Sequence, residues 1–186
     1  MKNKKNEQES NERVNPFAGK KKKESKFQTE LKSSRAVVCP TCGRKAREYK
    51  RKLTPQLCVA LIEVLKWYRH SPTQPSTLDY FQIDEIFKDN PKLKVDFSKL
   101  QYWDLIEAKG KLVRGKFVKN YGWYRISENG VKFAQREVAV PITAIVYNNE
   151  VKGHVINPHA TIDQILSESE IDYDFIINPK NKIRYA

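Results

Sequence analysis

The sequence predicts an α+β fold, and three observations carry that expectation. Apolar residues Leu57, Leu61, Val64, Leu65 and Tyr68 recur at helical spacing behind Thr54-Pro55. That start offers a hydroxyl N-cap and a proline at the first helical position. The block from Leu100 to Glu137 changes texture several times. A short amphipathic piece ends near Trp103 and Leu105-Ile106, a basic glycine-punctuated stretch follows, and Trp123-Tyr124-Arg125-Ile126 is strand-like. Ser127-Glu128-Asn129-Gly130 then opens a closing helix, Val131 to Arg136. Beyond Arg136 the chain becomes β-branched and extended.

Taken in order, residues 1–34 are rich in Lys, Glu, Asn, Ser and Gln without apolar periodicity, so they bury too little surface to offset chain entropy and read as a disordered basic arm. Residues 35–53 hold a Cys39-Pro-Thr-Cys42 knuckle and a basic linker. The first helix runs from Thr54 to Arg69-His70, with positive charge in its last turn. Ser71 to Ser76 is a loop by composition. Thr77 or Asp79 is expected to cap a second helix carrying Phe81, Ile83, Ile86 and Phe87, stopped by Asp89-Asn90-Pro91. A third helix begins near Asp96, with Phe97, Leu100 and Trp103 inward.

Three helices followed by hairpin strands and a closing helix is the element order of a winged helix-turn-helix domain, assigned to residues 54–137. That fold usually places a helix in the DNA major groove and the hairpin on the adjacent backbone. Residues 138–186 are expected to form a β-rich extension. Val138–Pro141 and Ile142–Tyr147 are extended, Asn148-Asn149-Glu150 is a turn, and Val151–Val155 is the returning strand. Thr161–Leu166 reads as a capped short helix, and Asp174–Ile177 with Lys182–Tyr185 as a final hairpin.

The net charge of +13 is unevenly placed. Residues 1–52 carry 17 Lys/Arg against 6 Asp/Glu, whereas residues 53–186 carry 18 against 16. Such an arm attracts nucleic acid, whose affinity grows with the number of phosphates neutralised; the plainer reading is a solubilising tail. Lys20–Lys23 also resembles a nuclear import signal, with nothing else pointing to a nucleus. No stretch approaches the roughly 18 apolar residues of a membrane span, the N-terminus lacks the apolar core of a secretory signal, and three cysteines make no disulfide framework. A reducing cytoplasm is the expected location.

Several residue sets could carry chemistry. Ser98, Lys99, Gln101 and Tyr102 stand between the apolar positions of the third helix and can reach base edges or phosphates; alternatively they form a solvated face. The hairpin contributes Lys109, Lys111, Arg114, Lys116 and Lys119 without an acid, a suitable charge for a wing along phosphates or for an edge strand guarded against aggregation. Tyr121, Trp123 and Tyr124 invite base stacking, although aromatics in such a strand are more often core. Cys39 and Cys42 resemble half of a zinc ribbon, with Gly43 easing the turn. Zinc completed by distant ligands such as Cys58, His70, His154 or His159 or by a second chain, a bare structural turn and a redox pair remain open. No Gly-rich phosphate loop, Ser-His-Asp order or His-Glu-x-x-His occurs, so a non-enzymatic role is expected.

The segments CPTCGR, KRKLTP, DFSKLQYWDLIEA, GWYRISENGVKFAQ and VPITAIVYNNEVKG together resemble a family of small, mostly uncharacterised phage and bacterial proteins, from Cys39 to about Val155. WYRISENGVKFA is also similar to many winged-helix regulators. The element order and the basic charge make DNA the expected partner, with transcriptional regulation or action on phage DNA as the role. The resemblance implies a fold and, if the chain is phage-encoded, the cytoplasm of a bacterial host. It transfers no biochemical activity. The competing expectation is a protein–protein adaptor that binds a host or phage protein through the winged helix and the C-terminal strands.

Overall fold

The computed structural model describes residues 36–40, 42–73, 75–113 and 116–181, with the side chains of Leu112, Lys116 and Phe117 outside that description. The expected basic arm, residues 1–34, and the Lys182–Tyr185 strand of the expected hairpin also lie outside the described residues. Two compact units meet between Arg47 and Glu48.

In the first unit, β1 (Val37–Val38) pairs antiparallel with β2 (Lys45–Ala46). The knuckle between them closes through its backbone. Gly43 N–H donates to the Cys39 carbonyl at 2.9 Å and Cys39 N–H to the Arg44 carbonyl at 2.8 Å. Gly43 sits at φ +68°, the left-handed region where a β-carbon is penalised.

The second unit mixes α and β elements around α1 (Pro55–His70). Its start and end fall where the sequence places them, although the Thr54 hydroxyl makes no capping hydrogen bond, and its surface is not amphipathic in the expected way. Cys58, Val59, Ala60 and Ile62 are buried along with Leu57, Leu61, Val64, Leu65 and Tyr68. A helix apolar nearly all round is a central helix. Even Lys66 is buried: its Nζ donates to Glu63 Oε1 at 2.8 Å and to the Asn181 carbonyl at 2.9 Å.

The region expected to be a second helix splits. Phe81–Gln82 forms strand β4, and only Ile83–Ile86 forms helix α2. Phe81 pairs with Tyr124 and Gln82 with Trp123, so cross-strand pairing overrides helical spacing here. Neither Thr77 nor Asp79 caps α2; Gln82 does, its side-chain oxygen accepting Asp84 N–H at 2.7 Å. Asp79 instead closes the preceding loop, accepting Ser76 N–H at 2.8 Å on its carboxylate and the Tyr68 hydroxyl at 2.6 Å on its carbonyl. Pro91, read as a stop, also starts a one-turn helix α3 (Pro91–Lys94).

The third helix is a 3-10 helix, Phe97–Trp103, with Phe97, Leu100 and Trp103 buried as expected. Asp104 ends it in the left-handed region at φ 54°. Strands β5 (Ile106–Val113) and β6 (Lys116–Ile126) form the hairpin, and the sheet order is β4–β6–β5. Helix α4 (Glu128–Ala134) is capped by Ser127, whose hydroxyl accepts Gly130 N–H at 2.9 Å and donates to the Asp104 carbonyl.

Residues 138–181 share this core. Strands β7 (Val140–Pro141) and β10 (His159–Ala160) pair with each other. Strand β8 (Thr143–Tyr147) lies between β3 (Tyr49–Lys52) and β9 (Glu150–His154). Helix α5 (Ile162–Ser167) starts with a capping box built by Thr161 and Gln164. The predicted strand at Asp174–Ile177 is instead helix α6 (Tyr173–Ile177). Asp172 caps it, and Tyr173 and Ile176, three apart, supply the buried side; a short apolar run cannot be told from a strand by periodicity alone. Both α5 and α6 pack on α1, which is why α1 is covered on so many sides. Tyr173 donates to the Ala134 carbonyl at 2.7 Å, and the Arg136 guanidinium lies 4.0 Å from the centre of the Tyr173 ring.

Candidate nucleic-acid interface

The 3-10 helix is held at its end by groups from the C-terminal strands. Trp103 buries its ring and donates its indole N–H to the Pro141 carbonyl at 2.7 Å. His154 Nε2 donates to the Tyr102 carbonyl at 2.7 Å. Asn129 from α4 adds a longer bond, 3.4 Å, to the Trp103 carbonyl. The last two bonds satisfy carbonyls that a helix end leaves without intrahelical partners, and all three fix the helix beside the hairpin.

Along this helix runs a cleft of about 660 Å³. Of the nine residues chosen from sequence as nucleic-acid contacts, five line it: Ser98, Lys99, Gln101, Tyr102 and Lys119. They are mutually ordered. Lys119 Nζ donates to Gln101 Oε1 at 2.9 Å, while Gln101 Nε2 donates to the Ser98 carbonyl at 2.8 Å. Lys99 pairs with Asp96. Tyr124 forms part of the buried wall, and burial pushes its phenol above the ordinary value, partly offset by a hydrogen bond with Ser98.

The remaining four are placed differently. Lys109 stands 4.8 Å from the centre of the Trp123 ring and 5.6 Å from that of Tyr80. The same ladder continues through Arg125, 5.2 Å from Tyr80 and bonded to Glu107 at 2.6 Å. Alternation along β5 puts Glu107 and Lys109 on the face opposite Ala108, which lines the cleft. Lys111 is exposed further along the hairpin, paired in register with Val118. Arg114 lies outside the described residues, and Lys116 is described by its backbone alone.

Two polar cleft residues escaped sequence reasoning as contacts, Asn120 and Asn149, while Tyr121 entered it only as a stacking candidate. Asn149 comes from the β8–β9 turn, at φ 61°. Its signal was present as an Asn-Asn turn, but no local pattern says which surface a distant turn will reach. The expectation that the β6 aromatics are core holds for Tyr124 and fails for Tyr121, which is 92% exposed.

A structural zinc requires four ligands. Among the described residues no group of three or more His, Cys, Asp or Glu is gathered to hold a metal. Cys58 is buried in α1, where burial, assisted by Glu168, pushes its thiol up and disfavours the thiolate that a metal binds. His154 is committed to Tyr102. Among the described residues no third ligand joins Cys39 and Cys42, and purified protein is expected to carry less than one zinc per chain by elemental analysis unless ligands come from outside the knuckle. Stoichiometric zinc, lost on replacing both cysteines, would show that such outside ligands complete a site. Among the described residues, no helix is long and apolar enough to cross a membrane. In comparisons with known protein families, curated proteins and solved structures, none matches this chain.

Proposed function

We propose that the chain is a non-enzymatic, DNA-binding protein of winged helix-turn-helix type, reading nucleic acid with the 3-10 helix and the β5–β6 hairpin. The observation that carries this reading is the convergence of Ser98, Lys99, Gln101, Tyr102 and Lys119 on one cleft. The succession of α1, β4, α2, α3, the 3-10 helix and the hairpin, with sheet order β4–β6–β5, supports the fold assignment. The concentration of positive charge N-terminal to Leu53 supports the choice of a polyanionic partner. The proposed role is transcriptional regulation or action on phage DNA, and the setting, on the sequence resemblance, is a bacterial host cytoplasm.

The test is binding to random duplex and to single strands between roughly 50 and 200 mM salt, where phosphate-driven affinity should fall steeply. An adaptor with a mainly apolar interface would show no such slope. Two classes of variant are expected to separate. Lys111→Ala should weaken binding to every sequence alike and lower the salt slope by about one unit per lost phosphate contact. Gln101→Ala should instead alter sequence preference, by about 1–3 kcal/mol for a lost bidentate base contact. Parent-like binding by Lys111→Ala and Lys119→Ala at low salt would remove the hairpin from the interface and favour the adaptor.

A further inference from the structure

We infer that the cleft seats an unpaired nucleotide of a single strand, with Tyr121 as the stacking platform. This inference rests on the nucleic-acid reading above and narrows it. The first argument is shape. A major groove roughly 12 Å wide and 8.5 Å deep receives an element that protrudes. Here the polar side chains of the 3-10 helix line a concavity that β6 and the β8–β9 turn also wall. Its volume of about 660 Å³ falls within the roughly 300–1,000 Å³ of sites that enclose small ligands. A single splayed nucleotide is the size of ligand that such a space suits.

The second argument is how β6 delivers Tyr121. Gly110 pairs with Lys119, but the next matched pair is Ala108 with Tyr124. Residues 120–123 of β6 therefore oppose Lys109 alone, a bulge that breaks the ladder and re-aims the side chains within it. Gly122 makes this possible at φ +80°. The outcome is a tyrosine 92% exposed at a cleft wall, two residues beyond a lysine. Leaving that ring in water has no packing rationale within the described residues, whereas base–aromatic stacking uses such a ring directly.

The third argument is the remaining chemistry. Asn120 and Asn149 present two carboxamides to the cleft, each with donors and an acceptor for a base edge. Gln101 keeps one amide hydrogen and one oxygen lone pair beyond its bonds to Ser98 and Lys119. Lys119 is held by a neutral amide oxygen, which orients its charge toward a phosphate without neutralising it. No Asp or Glu is among the lining residues. A second concavity of about 620 Å³ makes the contrast: Asp104, Glu107 and Glu128 line it against the cation of Lys132, a balance unfavourable to a phosphate.

Fluorescence anisotropy with labelled oligo-dT, oligo-rU of equal length and a duplex tests the inference on the full chain. A single strand should bind more tightly than the duplex, and the dT and rU arms identify whether DNA or RNA is the source. Tyr121→Ala should lose on the order of 5- to 150-fold on that strand with little change on duplex, and Tyr121→Phe should retain binding. The high exposure of Tyr121 keeps these variants folded, which circular dichroism verifies. Tighter duplex binding, indifferent to Tyr121→Ala, would overturn the single-strand inference and leave the DNA reading standing. Absence of binding to all three probes would overturn both.

Discussion

Gly130→Ala is expected to destabilise the protein by about 3 kcal/mol, the upper end of what forced overpacking usually costs. In an exposed helix interior the same change stabilises by about 1 kcal/mol, so the sign itself is diagnostic. Gly130 lies in the first turn of α4 with no unusual φ, yet a β-carbon there would stand 2.0 Å from the Leu105 carbonyl oxygen and 2.9 Å from its carbon. Both are backbone atoms and cannot swing aside. The neighbouring bonds leave little slack. Ser127 N–H donates to that same Leu105 carbonyl at 3.1 Å, and the Ser127 hydroxyl reaches Asp104. Relief requires α4 to lift from the junction between the 3-10 helix and β5. Urea denaturation measures the change, and a gain in stability would mean that α4 does not approach Leu105 this closely.

Leu61→Ala is expected to cost about 2–5 kcal/mol. Leu61 is fully buried, as are Phe97 and Leu100 on the 3-10 helix that packs against α1. Because α5 and α6 cover α1 as well, the surroundings cannot collapse into the void without moving several elements, which favours the upper part of that range. A loss under about half a kcal/mol, the size typical of surface substitutions, would place Leu61 outside the core. Nucleic-acid binding at temperatures well below the melt should be retained, since Leu61 does not line the cleft.

Elements announced by local chemistry were legible in the sequence. The Thr54-Pro55 start, the Ser127 cap and the Thr161–Gln164 capping box each appear where hydroxyl, proline and amide spacing place them. What failed depended on partners distant in the chain. Phe81-Gln82 continues a helical pattern but finds β6 as a strand partner. Val59 and Ile62 lie outside the apolar spacing read from the sequence, yet both are buried in a helix that α5 and α6 also cover. The candidate site divides along the same line. Ser98, Lys99, Gln101 and Tyr102 follow from the spacing of Phe97, Leu100 and Trp103 on one helix, while Asn149 reaches the cleft only through the fold. Tyr121 was legible as a stacking candidate, but its exposure comes from a bulge that strand alternation does not reveal.

The pairing of β3 with β8 matches Tyr49 to Val146 and Lys52 to Thr143, and this has a kinetic meaning. Contacts between residues so far apart must close a long loop before they return any stabilisation, and chains rich in them fold slowly. During synthesis, the strand that enters first waits for one of the last to emerge. Until then its row of backbone donors and acceptors is open to any other extended chain, and Lys50, Arg51 and Lys52, all exposed, are the residue types that discourage such pairing. The same lysines and arginine thus serve the nascent chain before they serve the finished one.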